Sequence, residues 1–185
     1  MTTRRDRHRR HIRLSIVLLS AGLCSIGALA QPAAGLRWTA PAGWKNAGAQ
    51  PMRAATYTIV PAAGDTAGAE CAVYFFGAGQ GGSVEANVDR WKSQFAAPGG
   101  KPAAAKVAKR TVRGLAMTTI DVAGEYSGMG GPMGGGRAVA GYRLLGAIVE
   151  GPGGNIFVKF TGPAKTIEAN APKFDLLLAS FQPDK

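Results

Sequence analysis

The sequence predicts an α+β domain, with an antiparallel sheet of about six strands packed on one side by two helices. Three observations lead there. β-prone runs of seven to thirteen residues, with apolar side chains in alternation, lie on both sides of residues 83–95. The connections between neighbouring runs are short and rich in glycine and proline, which marks antiparallel hairpins. Two segments carry the helical period instead. Val84, Val88, Trp91 and Phe95 fall at i, i+4, i+7 and i+11, and Phe174, Leu177, Leu178 and Phe181 at i, i+3, i+4 and i+7.

Taken in order, Leu36-Arg37-Trp38 opens the domain ahead of the turn TAPAGW. RAATYTIV (53–60) alternates Ala55, Tyr57 and Ile59 against Thr56, Thr58 and Val60, as a half-buried strand does. ECAVYFF (70–76) is apolar on both faces and so is expected to be central, paired with the previous strand as a hairpin. In SVEANVDRWKSQF, Ser83 is a natural N-cap and Glu85 places a negative charge in the first turn, where the helix dipole favours it. PGGKPAAA ends that helix. KVAKRTVR (106–113), LAMTTIDVAGEY (from Leu115), AVAGYRLLGAIVE (138–150) and IFVKFTG (from Ile156) read as strands, with tight turns at Gly114 and at GPGGN. In the last of them Ile156, Val158 and Phe160 oppose Phe157, Lys159 and Thr161 across the pleat. Pro172 bars an undisturbed helix from Thr166. Either Asn170 caps a fresh helix with Pro172 in its first turn, or the helix bends there. Strands, helix, strands, helix is the order of an α+β sandwich.

Residues 1–30 read as an address. Six arginines precede an apolar run from Leu14, which ends at Ala28-Leu29-Ala30, the pattern of a secretory signal cleaved after Ala30. The run is 17 residues long, short of the ~20 a membrane-spanning helix needs, so no stable membrane insertion is expected after cleavage. Arg9-Arg10 loosely resembles a twin-arginine signal, and the choice of export route stays open. Residues 31–185 are then one domain, expected in the periplasm or outside the cell.

Cleavage removes six arginines and one aspartate, leaving 16 basic and 10 acidic residues, a net charge of +6. It also removes His8, His11 and Cys24. Without histidine the mature chain has no Ser-His-Asp or Cys-His nucleophile pair, and no zinc site of His/Cys type. Cys71, alone in an apolar run, is expected to be a buried small residue. The acids Asp65, Glu70, Glu85, Asp89, Asp121, Glu125 and Glu150 are scattered singly, and the glycines at 79–82 lack the lysine of a phosphate-binding loop. No catalytic residue and no cofactor are expected.

LRWTAPAGW, the strand pair around Tyr57 and Val73–Phe76, the helix VEANVDRWKSQF and the closing GP…F…LLASF together resemble the PsbP-like fold, named after the extrinsic subunit of the photosynthetic oxygen-evolving complex. The ANxxRWxxQF helix and the late GPxxT segment are similar to those of small exported bacterial proteins of no assigned activity. The resemblance spans most of Leu36–Phe181. It implies a PsbP-like sandwich of accessory or binding type, and carries over no catalytic residues.

Two features remain for function. YSGMGGPMGGGR, Tyr126 to Arg137, is a connection longer than hairpins usually need, and long exposed loops are where contact residues concentrate. Tyr126, Met129, Met133 and Arg137 are its candidate partner contacts. Met129 and Met133, joined by Met117, are an alternative thioether set for Cu(I). Lys101, Lys106, Lys109, Arg110 and Arg113 cluster within thirteen residues, either as a solvated edge strand or as a patch for polyanions. The leading expectation is a non-catalytic exported binding or accessory domain of the cell envelope, contacting an envelope protein or a small ligand and no nucleic acid. A hydrolase using scattered carboxylates and a copper-handling protein are the alternatives.

Overall fold

A computed structural model describes residues 32–48, 50–128 and 138–184. The expected signal segment lies outside them, as do Met129, Met133 and Arg137. Eleven strands and two helices run in the order β1 (Leu36–Arg37), β2 (Lys45–Asn46), β3 (Arg53–Ile59), β4 (Ala69–Phe75), α1 (Val84–Lys92), β5 (Phe95–Ala97), β6 (Lys101–Pro102), β7 (Ala105–Val112), β8 (Leu115–Tyr126), β9 (Val139–Gly151), β10 (Gly154–Pro163), α2 (Ala164–Ser180) and β11 (Gln182–Pro183). Nine strands form one antiparallel sheet, eight of them in the order β2-β3-β4-β10-β9-β8-β5-β6 and the ninth, β7, beside β8. β7 shares the outer edge of β8 with β5, taking Leu115–Val122 while β5 takes Glu125 and Tyr126. β1 and β11 make a separate two-stranded ribbon.

The expected α+β class and antiparallel sheet stand. Two details differ. Short pairings at β2, β5 and β6, too brief to leave an alternation pattern, widen the sheet beyond six strands. The helices also cover opposite faces rather than one. Leu145, Ala147 and Val149 of β9, with Ile156, Val158 and Phe160 of β10, pack beneath Ile167, Phe174, Leu177 and Leu178 of α2. The alternate residues Leu144, Ile148 and Phe157 pack beneath Val88 and Trp91 of α1. Burying the central hairpin on both faces requires a cover on each, and each fully buried Leu, Ile or Phe contributes ~1.5–3 kcal/mol.

The α2 face is closed tightly. The segment ahead of β3 crosses it, stacking Trp38 on Phe181 with centroids 5.1 Å apart and setting Trp44 4.9 Å from Phe160. Trp38 Nε1 donates to the Tyr57 hydroxyl at 3.0 Å, and Trp44 Nε1 to Asn170 Oδ1 at 3.2 Å. Cys71 is fully buried in this core, and burial pushes its thiol pKa well up. Met117 is in the same core, 1 % exposed.

Ser83 caps α1 as expected, its Oγ accepting from Ala86 N at 3.1 Å. The helix stops at Lys92, so Phe95 completes the apolar stripe from β5 instead. α2 runs unbroken through Pro172, and Asn170 is no cap: its Nδ2 donates to the Thr166 carbonyl at 2.9 Å. The N-terminus of α2 is satisfied from a distance. Asp65, in the β3–β4 connection, accepts from Thr166 N at 2.8 Å and Thr166 Oγ1 at 2.6 Å, and Thr166 Oγ1 accepts from Ala62 N at 3.0 Å. At the other end, Arg113 Nε donates to the Ala179 carbonyl at 3.0 Å. Arg113 and Gly114 both have positive φ, 51° and 80°, the two-residue turn that joins β7 to β8.

Gly146 admits α1 to the sheet. A Cβ there would stand 2.6 Å from the Trp91 ring and 2.8 Å from Ile120.

Two substitutions test this account. Asp65→Ala removes a helix cap and should cost about 1–2 kcal/mol, read by urea unfolding; a midpoint equal to wild type would show the cap to be idle. Gly146→Ala should cost roughly 1–3 kcal/mol through overpacking. That cost should shrink in a Trp91→Ala background, where only the Ile120 contact remains, and an equal cost in both backgrounds would place the strain elsewhere.

Candidate functional site

Beside α1, the same face of the sheet buries an unusual group of side chains. Cross-strand register places Gly146, Lys159, Ala72 and Thr56 in one row, and Leu144, Thr161, Glu70 and Thr58 in the next. Lys159 therefore stands on a central strand between two small residues. It is 8 % exposed. Its Nζ donates to Gln94 Oε1 at 2.7 Å and to the Tyr126 hydroxyl at 3.1 Å, and lies 5.3 Å from the Tyr126 ring centroid. Among the described residues no carboxylate reaches it within salt-bridge distance.

Aromatic rings and a second charge pair surround this amine. Tyr126 stacks on Tyr142, centroids 5.7 Å apart and 5° from parallel, and packs 5.0 Å from Phe95. Tyr74 stacks on Phe76 at 5.9 Å, with the Arg53 guanidinium 5.4 Å over its ring. Three of the four tyrosines thus line this one region. Arg53 is paired with Glu70 at 2.9 Å. Arg90, on the exposed side of α1, hydrogen-bonds Asn87, whose amide in turn donates to the Gly81 and Ser83 carbonyls at 2.8 Å.

The groups feel one another. Burial lowers the Lys159 pKa to about 8; nearby Glu70 opposes this, and Arg90 and Arg53 add to it. Tyr126 is pushed up from the ordinary tyrosine value, first by burial and then by Tyr74, Glu70 and Tyr142. Tyr74 is raised by burial against the pull of Arg53. A buried ammonium facing neutral oxygens, two guanidinium groups and one already paired carboxylate is an electropositive site.

Of the residues expected to make contacts, the structure brings Tyr126 into this cluster. Ser127 N donates to the Gln94 carbonyl at 3.0 Å, so the start of the 127–137 connection is tied to the Lys159 partner. Met117 is elsewhere, nine positions back along β8 and in the core on the opposite face, so it does not meet the connection at Tyr126. Among the described residues no three His, Cys, Asp or Glu side chains gather as a metal site would need. Of the basic run, Lys106, Lys109 and Arg110 lie on an edge strand, β7, with both faces largely exposed. Arg110 there pairs with Asp175 at 3.3 Å, and Arg113 caps α2, which ties the edge to the helix.

Sequence reasoning missed Lys159, Gln94, Tyr74 and Arg53. The available signal was a lysine inside IFVKF, where both neighbours in the chain are apolar.

A nine-stranded antiparallel sheet with one helix on each face is a PsbP-like fold. The likeness is measured against the solution structure of cyanobacterial PsbP (CyanoP) from Synechocystis sp. PCC 6803, with a TM-score of 0.51, 15 % identity, and coverage of 90 % of this chain and 98 % of that one. At that identity the likeness is one of fold. A weaker likeness, TM-score 0.47 and 13 % identity, is to a crystal structure of PA94, a Pseudomonas aeruginosa protein of unknown function, over 85 % of this chain and 96 % of that one. No protein-family model matches the sequence, and no characterised protein compared with it matches. Among the described residues no helix is long and apolar enough to cross a membrane.

The buried amine makes a signed prediction. Between about 8 and the ordinary lysine value of 10.5, the unfolded chain keeps a proton that the folded chain has released. Stability conferred through Lys159 must therefore rise with pH across that window. Wild type should gain on the order of 2–3 kcal/mol relative to Lys159→Met between pH 7.5 and 10.5. Denaturant unfolding of both at several pH values reads it; a difference that stays flat would mean the amine is not held at a depressed pKa.

Proposed function

We propose that this chain is an exported, non-catalytic binding domain of the cell envelope, and that it holds its partner or ligand on the α1 face of the sheet, in a groove beside Lys159 and strands β3 and β4. The N-terminal arginines, the apolar run and the Ala28-Leu29-Ala30 site support export. The observation that carries the binding reading is Lys159. A buried ammonium without a carboxylate costs several kcal/mol in an otherwise apolar setting, and a Met or Leu at that position would cost nothing comparable. Such a group is retained where something outside the fold uses it.

One experiment tests both parts. A photo-reactive phenylalanine analogue replaces Thr58, which is exposed beside Glu70 on the rim of the groove, or Lys109 on β7 as the control. The full chain is expressed, intact cells are irradiated and the products are weighed by mass spectrometry. The expected product is a chain beginning at Gln31, found in the envelope fraction and carrying an adduct from position 58 but not from 109. An intact chain held in the cytoplasm would sink the export reading. Equal labelling at both positions, or none at 58, would sink the groove.

A further inference from the structure

We infer that the free edge of β7 is a second binding site, separate from the groove, which takes an acidic extended peptide as an added strand. The large sheet has three edges, and they are built differently. β2 and β6, which end the strand order, are two residues each, and β6 carries Pro102. Next to β2, the β3–β4 pairing is bulged between Arg53 and Ala55. Shortness, proline and bulges are how sheets refuse a further strand. β7 has none of them. It is eight residues long, pairs with β8 in unbroken register from Ala105 to Val112, and among the described residues has no strand on its other side. Every second residue of an antiparallel strand turns its N–H and C=O away from its partner, so β7 offers a row of open backbone groups.

Charge decides what can use that row. Register sets Lys106, Ala108 and Arg110 on the α2 face of β7 and Val107, Lys109 and Thr111 on the other, all of them exposed. No Asp or Glu occurs from Lys101 to Ile120. Lys106 faces Asp121 across the ladder, but Asp121 is held by Arg143 through two bonds, at 2.8 and 2.7 Å. Among the described residues neither Lys106 nor Lys109 has a carboxylate within salt-bridge distance. Arg110 meets Asp175 at 3.3 Å in an exposed pair, weak enough for a second anion to share. Lysines on an edge keep neutral and basic strands off it, and the same charges draw an acidic one.

The other occupants fit less well. A second copy of the chain would bring β7 against β7 and set these cations against one another. The segments of the chain outside the described residues carry the wrong charge: residues 1–31 hold one acid, Asp6, against six arginines, and residues 129–137 hold none. A polyanion without a peptide backbone would answer the charges but leave the open N–H and C=O row unused. An added strand answers both, since its acids at alternate positions stand beside Lys106 and Arg110 on one face or beside Lys109 on the other. Replacing Lys109 by an uncharged ring, as in the cross-linking control, removes one of the two unpaired charges, and the added strand is expected to be lost with it.

The test titrates the full chain, purified after expression, with end-blocked decapeptides, following amide resonances and amide exchange by NMR. The probes are alternating Thr-Glu, alternating Thr-Lys, and the Thr-Glu peptide methylated on its two central backbone nitrogens, which keeps the charge and breaks the ladder on both of its edges. The Thr-Glu peptide is expected to shift the amides of Ala105–Val112 and to slow exchange at every second one of them. Its affinity should exceed those of the Thr-Lys and methylated peptides by about tenfold or more. Lys106→Glu combined with Lys109→Glu changes two exposed side chains, so the urea midpoint should hold while the preference passes to the Thr-Lys peptide. Equal binding of the methylated peptide would make β7 a surface that reads polyanion charge alone, and would overturn strand addition. Equal binding of the Thr-Lys peptide, an unchanged preference in the double variant, or no shift in β7 would overturn it too. So would the same β7 shifts on concentrating the chain without peptide, which would make the occupant a second copy. None of these outcomes depends on labelling at position 58, so this edge and the groove stand or fall separately.

Discussion

The β9–β10 hairpin is apolar on both sides, and this one constraint organises the molecule. A hairpin with one wet face can end a sheet, but Leu144 to Val149 and Ile156 to Phe160 leave no face for water. β4 and β8 must flank it in the sheet, and separate layers must cover it above and below. On one side the cover is α2 with the aromatic crossing segment that contains Trp38 and Trp44. On the other it is α1, admitted to backbone contact by Gly146. The distant cap from Asp65 and the contact from Arg113 then fix the two ends of α2, because a helix laid on a finished sheet still has unpaired backbone groups at each terminus.

Much of that is legible in the chain before folding. The hairpins β3–β4, β7–β8 and β9–β10 are marked by alternation broken at glycines, and α1 announces itself by Ser83 and the spacing of Val88 and Trp91. The side on which each helix lies is not legible. A strand apolar on both faces requires two covers without saying which helix supplies which, and that is decided by strand order, a long-range property. Pro172 was a poor guide for a related reason: packing of Ile167 and Phe174 on the same sheet holds α2 through a residue that local propensity would use to break it. β2, β5 and β6 are invisible because two or three residues cannot display a period.

The site is less legible than the fold. Tyr126 is reached from the glycine-rich connection beside it, yet what gives Tyr126 its place is the lysine beneath its hydroxyl. In the sequence, Lys159 alternates with Val158 and Phe160 just as an outward lysine on an edge strand would. Only the position of β10, fourth from one end of the strand order and flanked on both sides, turns that ordinary alternation into a buried charge. Gln94 and Tyr74 belong to other elements altogether, and nothing in their local sequence points to Lys159.

The groove itself follows from unequal helices. α2 has 17 residues, about 25 Å of helix, while α1 has nine, about 14 Å. The cover over β8, β9 and part of β10 is apolar, with Trp91 on Gly146 and Val88 beside Phe157. Beyond the reach of α1 the same face turns to Lys159, Thr161, Glu70, Tyr74 and Arg53. Polar side chains on that stretch are what an uncovered sheet requires, and a row of exposed threonines would have met the requirement. A lysine held under Tyr126, with a glutamine and no acid within salt-bridge distance, goes beyond it. Solvation of an open sheet face explains Thr58 and Glu70, and the buried amine of Lys159 is what the proposed binding role accounts for.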